Sequence, residues 1–504
     1  MGSVVKAVIG VAAIVFAPML APALLGGMGI AATAVLTGAV TIGITMVGAS
    51  LVGSSAGGSM SSAVDQSGVE GYAGAKLQTS KTNIAPVPIL YGEHKIGGNI
   101  IFQTTNAAIN SNNTTNGYNR DYWAVMVICD HLLNSHVRCF IGEDELNGGS
   151  NFFWTTEYVH VKGHHPKDNN GTFNIQDTNL WMINDSEDSS GSNTPSLPSL
   201  VIPPNCLFLC IHQVFDGEET KNTAIEPIAI KLQGKKIRTI TNATTIASSL
   251  TYSTNPAEIL LDLLGTGLSI ADSDIDIASF YASKVACAAA GFTCHIALIQ
   301  QANIQSIIAD VLATCRGKIF HSESKWKFKI DTKSQSVADA LTSDDVMSNT
   351  LSISMSGSGN LANKMILKYI NPADQYLSAQ VVRDDTNLQT YDGLVIEKTL
   401  DIKGVNNATH ANKLCEIALN SLRYSEDASG NRVKQTPLAI TFATSVKNAH
   451  LEVGDVISLN HALLDRVRKF LILSTATDQS GVIQISAREY AETHFKNASA
   501  SYLI

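Results

Sequence analysis

Val-Pro-Ile-Leu-Tyr-Gly-Glu-His-Lys-Ile-Gly-Gly-Asn-Ile-Ile-Phe, residues 87–102, alternates short apolar stretches with turn signals at Tyr91-Gly92 and Gly97-Gly98. This is strand punctuation, and it predicts paired short strands rather than helix. Downstream, Tyr122-Trp-Ala-Val-Met-Val-Ile-Cys129 is apolar without alternation, as expected of a strand buried on both faces. Val137–Ile141 and Glu143–Leu146 suggest a strand and a turn, and strands resume at 206–214 and 228–232 with a turn at Gly234. Residues 148–200 are polar throughout and are expected to form a solvent-facing insertion.

Helical periodicity is confined to the middle and one later segment. Asn255 is placed to cap a helix over 256–264 with Pro256 at its first position, followed by helices over 277–290 and 304–315. Residues 318–321 and 326–330 predict a hairpin around Glu323-Ser324. The C-terminal third predicts strands at 351–355, 364–369, 438–444, 456–459, 470–474 and 481–487, with a helix over 410–422. The fold class expected is α+β, β-dominated and multi-domain. The expected units are an apolar segment 1–64, a Gly/Ser-rich linker 65–83, a β-rich domain 84–240, an α+β module 241–340 and a second β-rich domain 341–504.

Residues 7–64 contain no Asp, Glu, Lys, Arg or His. That run could hold two membrane-length helices of about 20 residues each, and Gly38, Gly43, Gly48, Gly53 and Gly58 favour close helix packing. A signal peptide fits poorly, because the apolar run far exceeds the usual core of about 7–15 residues. Three readings stand: a plug inside an oligomer, a segment that enters a target membrane, and a permanent anchor. The anchor ranks last because Trp and Tyr are absent before Tyr72.

Across 504 residues the net charge is −9, with no concentrated basic face, so sequence-specific nucleic-acid binding is not expected. An acidic surface would act as a non-stick lining for DNA in transit. The eight cysteines include no CxxC, and the nearest pair, Cys206 and Cys210, sits among Leu and Val. Buried reduced thiols formed in a reducing cytoplasm are expected. No catalytic, cofactor-binding or metal-binding residue is expected. His160, His164 and His165 lack further ligands at metal spacing, and His131 and His136 read as surface residues flanking a turn. Asp272, Asp274 and Asp276 read as helix-start carboxylates rather than a calcium loop. Gly454-Asp455 reads as a turn, Cys315 has no identifiable His partner, and Gly265-Thr-Gly267 is not a phosphate loop.

Several stretches together resemble the conserved core of bacteriophage tail hub proteins, the group of the lambda-type tail tip attachment protein. They are 84–102, Cys129–Leu146, Ile225–Ile237, Asn255–Leu264 with Asp276–Phe280, Gly317–Phe320, Asn363–Tyr369, Asn406–Leu419, Leu451–Ile457 and Ser486–Tyr490. Their order over 84–495 carries the resemblance, since each alone is strand-and-turn punctuation. Leu133 or Asn134 stands where the family often has Gly.

The resemblance implies tube-like β-barrel or sandwich domains and a homotrimer closing the distal tail tube. It also implies contacts with the distal tail ring protein, the tape measure protein and fibre or other tip proteins. Residues 7–64 would lie in the lumen or contact the host membrane. Location would be the virion tail tip, after assembly in the host cytoplasm. Long family members continue into fibronectin-like and fibre modules, so a separate fibre protein is expected to touch the receptor. An alternative is a membrane-active, toxin-like pore former, and a third reading, a peptidoglycan hydrolase, has no acid pair behind it.

Overall fold

The computed structural model describes residues 14–15, 87–107, 120–131, 133–141, 144–149, 153–155, 159–164, 173–174, 201–202, 207–215, 228–299, 302–355, 361–478 and 480–497. The linker 65–83, most of the segment 7–64 and most of the insertion 148–200 lie outside the described residues, as do Cys206, His165 and the side chains of His136, His160, His164 and Cys210. Ile14 and Val15 are extended and pair antiparallel with Ile319 and Lys318.

The N-terminal half begins with β1 (Ile89–Tyr91) and β2 (Glu93–Ile96), split by Gly92 at φ +83°. A ten-stranded sheet contains β2. Its other strands are β3 (Asn99–Ala107), β4 (Arg120–Cys129), β5 (Leu133–Ile141), β6 (Asp144–Gly149), β7 (Phe153–Thr155) and β8 (Val159–His164), then β9 (Leu207–Phe215), β10 (Ile228–Asn242) and β11 (Thr245–Tyr252). The order is β11-β10-β5-β6-β7-β8-β9-β4-β3, with β2 also on β10. Ala124–Cys129 of β4 are all buried, as a strand without alternation requires. Their core partners include Ile100, Leu209, Ile211 and Ile230.

Three helices follow. Asn255 accepts from the Ala257 N–H at 3.0 Å to cap α1 (Pro256–Asp262), which continues through a wider turn, Leu263–Gly267. Asp276 caps α2 (Ile277–Ala290), and Gly291 at φ +69° ends it. Asn303 caps α3 (Ile304–Cys315). Strand β12 (Ile296–Leu298) pairs with β1, and β13 (Gly317–Ser322) pairs with β14 (Lys325–Ile330) around Glu323 and Ser324, both at positive φ.

The C-terminal half holds two further sheets. One joins β15 (Val337–Thr342), β16 (Ser352–Met355), β20 (Leu438–Thr444), β21 (Val456–Asn460), β22 (Arg468–Thr477) and β23 (Ile483–Glu489) in the order β15-β21-β22-β23-β20-β16. The other joins β17 (Lys364–Asn371), β18 (Leu377–Asp384) and β19 (Glu397–Asp401). Two helices, α4 (Thr386–Asp392) and α5 (Ala408–Arg423), complete the half. The largest apolar cluster draws on α1–α3 and equally on Met365, Leu367, Leu400, Leu414 and Leu419, so packing runs across residue 341.

The protein is a β-dominated α+β chain with several sheets. Of the barrel or sandwich form expected for its β domains, no closed barrel is present among the described residues, because β3 and β11 end the ten-stranded sheet without pairing to each other. Strand β18, helix α4 and strand β19 also arise where no element was expected.

Candidate assembly interface

A sheet that ends in two free outer strands offers rows of unpaired N–H and C=O groups, and proteins ordinarily guard such edges with charge, Pro or cover. Among the described residues neither outer strand pairs with a further strand or carries a charged side chain. Asn-Ile-Ile-Phe-Gln-Thr-Thr-Asn-Ala (99–107) and Thr-Ile-Ala-Ser-Ser-Leu-Thr-Tyr (245–252) contain no charged residue, and the uncharged run around β11 extends over 239–257. Strand β11 is exposed or half-buried along its length, with Leu250 47% exposed. By contrast the outer strand β15 of the C-terminal sheet carries Asp339, 3.3 Å from His450 Nε2.

The ribbon β10–β11 is held in place at its base. Ile237 and Ile240 are buried against α1 and α2. The Ile240 N–H donates to Glu258 Oε1 at 2.8 Å, and Lys284 Nζ reaches Ile240 O at 2.6 Å and Glu258 at 2.8 Å. Arg238 binds Asp272 through two nitrogens at 2.6 and 3.0 Å, a bidentate pair that fixes direction as well as distance. The ribbon is therefore held rigidly at its base.

The ten-stranded sheet meets the rest of the chain through β1 and β2. Gly234 N–H donates to Gly92 O at 2.7 Å, and a Cβ on Gly234 would lie 2.3 Å from Leu90 O, so only glycine fits. Tyr91 Oη and Lys235 Nζ both reach Asp262 Oδ2 at 2.6 Å. Burial and the Asp262 charge hold the Tyr91 phenol neutral, well above its ordinary range.

A second charged seam joins the hairpin β13–β14 to the C-terminal sheet. Lys327 and Lys329 contact Glu452 at 2.5 and 3.0 Å, and Lys329 contacts Asp455 at 2.8 Å. Deeper, Asp331 accepts Lys318, with Arg316 at 3.5 Å and Arg488 at 4.0 Å. One buried carboxylate thus serves three cations. Burial pushes Arg316 down to about 10, and burial with Arg316 nearby pushes Arg488 down to about 9. These are structural contacts that lock two parts of one chain.

The residues singled out in the sequence are dispersed. His131 is a correction: it is buried, and its Nε2 accepts the Leu90 N–H at 3.0 Å. Asp276 caps α2 and Asp272 holds Arg238, so two of the three carboxylates steady helix and ribbon. Gly454 has φ +83° in the turn before β21. Cys315 is buried with its thiol toward Leu312 O, and Gly265-Thr-Gly267 lies in the wider turn after α1. Cys129, Cys139, Cys287, Cys294, Cys315 and Cys415 are buried and unbridged. Among the described residues no group of three His, Cys, Asp or Glu is placed to hold a metal ion. Sequence reasoning missed the outer strand β11, although its signal, the uncharged run 239–257, was present.

The fold places the chain in a known structural class. It matches a chain in the virion of a native gene transfer agent particle with TM-score 0.56 at 11% identity, covering 83% of this chain and 88% of that one. Residues 303–475 match the family described as putative phage tail protein. A tail protein from Neisseria meningitidis MC58 aligns at 8% identity over 80% of this chain and 98% of that one, with TM-score 0.26. A prophage tail protein from Listeria monocytogenes EGD-e aligns at 9% over 77% and 88%, with TM-score 0.27. No curated protein matches.

Proposed function

We propose that this phage tail structural protein is the hub subunit of the tail tip, three copies of which form a ring that closes the distal tube and opens for genome delivery. The observation carrying this reading is the pair of uncharged strands that end one sheet among the described residues. An edge-to-edge contact between β3 of one copy and β11 of the next is heterologous, and such contacts make rings when the rotation closes. The anchoring of Arg238 on Asp272 and of Ile240 on Glu258 favours a fixed angle between copies. The distal tail ring protein, the tape measure protein and separate fibre proteins are the partners this position implies. Residues 7–64 would then lie in the lumen or meet the host membrane, and the chain would act without catalysis or cofactor.

Electron microscopy of intact tails, with this chain labelled, tests the reading. Three copies ringed at the distal tube end are expected. A chain absent from particles, leaking dye from liposomes by itself, would overturn the hub and support a membrane-active protein.

A further inference from the structure

We propose that the strand pair Ile89–Ile96 is an acid-released latch, held shut by neutral imidazoles of His131 and His295 that accept its backbone N–H groups. The Leu90 N–H donates to His131 Nε2 at 3.0 Å, and the Glu93 N–H donates to His295 Nδ1 at 3.0 Å. A neutral imidazole has one accepting nitrogen, whereas a protonated one donates at both. Protonation therefore sets donor against donor at two points on the same strand pair.

The surroundings leave little relief for the added charge. His295 is pinned by its backbone N–H, which donates to Gly404 O at 2.9 Å, beside Cys294. It faces His94 from the latch and His410 from α5, and burial with these two neighbours pushes it down to about 3. His94, whose Nε2 lies 2.8 Å from Tyr91 O, is pushed by burial to about 4 despite Glu93 beside it. His410 is likewise pushed to about 4, with Lys413 adding repulsion, and it stacks on Phe292 at 4.9 Å. Glu93 is already engaged by Lys231 at 3.0 Å and by the Tyr376 hydroxyl. Next to His131 stands Asp130, with Lys235 acting on it.

The position gives the chemistry an output. Strand β1 pairs with β12, and β2 pairs with β10, so this pair ties the ten-stranded sheet to the helices. Once open, the histidines take protons at their ordinary affinity, so falling pH draws the equilibrium toward the open form. Lys95 Nζ on Gln375 at 2.8 Å and Tyr376 on Glu93 would part with it, freeing the sheet from the 375–376 turn as well.

Amide hydrogen exchange of the full chain at pH 7.5 and pH 5, corrected for intrinsic rates, tests the latch. Protection of 89–96 is expected to fall by about tenfold or more at the lower pH, and to fall while 438–444 remains the better protected segment. The double variant His131→Gln/His295→Gln, whose amide oxygens accept without titrating, is expected to lose several-fold less protection than the wild type over the same pH step, the remainder coming from His94. His295→Asn alone serves if the double variant does not fold. Unchanged protection in the wild type, or an equal loss in a folded variant, overturns the latch. This outcome is independent of how many copies form a ring.

Discussion

At the scale of single residues, the strongest constraints are a missing side chain and a shared carboxylate. Gly234→Ala would drive a methyl into Leu90 O. Its expected cost is about 1–3 kcal/mol, seen as a lower urea midpoint at unchanged slope. Asp331 is the counterion of Lys318, Arg316 and Arg488. Removing one member of a buried ion network strands the others, so Asp331→Asn is expected to cost about 3–5 kcal/mol. A loss below about 1 kcal/mol by the same titration would mean the three cations find other partners. The N-caps were legible at this scale: Asn255 and Asp276 sit where their chemistry places them. His131 was not, because a His beside a turn looks alike whether solvent or a distant N–H receives its ring.

At the scale of elements, strand β11 invites the most direct experiment. Replacing Ser249, which is exposed on the outer strand, by Lys would put a charge on the edge. Folding is expected to stay within about 0.5 kcal/mol of wild type, while assembly in a tail reconstitution falls sharply. Normal assembly would exclude this edge as the contact. Helices α2 and α3 and strand β20 were predicted to the residue because their caps and apolar runs are local signals. Strand β18 escaped because its exposure alternates without a matching apolar pattern, Val381 being its buried residue. Helix α4 escaped for a related reason: in its seven residues Leu388 alone is buried. Whether a sheet closes is a matter of long-range pairing, on which strand-and-turn punctuation is silent.

At the scale of the molecule, acid should weaken the fold as a whole. His94, His295, His410 and His494 are all depressed, to between about 3 and about 4, chiefly by burial. The unfolded chain then binds more protons than the folded one from about pH 6.5 down to the folded values. Stability is full above that window and lost as pH falls through it. Asp310, raised by burial to about 6, works in the opposite sense and offsets one histidine at most. Unfolding free energies from urea titrations at pH 7.5 and 4.5 should differ by several kcal/mol, and equal values would show that the histidines are solvated.

The apolar cluster shared by α1–α3 with Met365, Leu414 and Leu419 also sets a timetable for biosynthesis. Translation supplies about 5–20 residues each second, so the strands after residue 361 and helix α5 leave the ribosome roughly 5–20 seconds after α3. Until then the first three helices have no second wall, and their Leu and Ile faces stay wet. A nascent chain arrested near residue 340 should therefore be captured by chaperones, and release of the next 90 or so residues should end that dependence. That interval is the period of greatest exposure to aggregation.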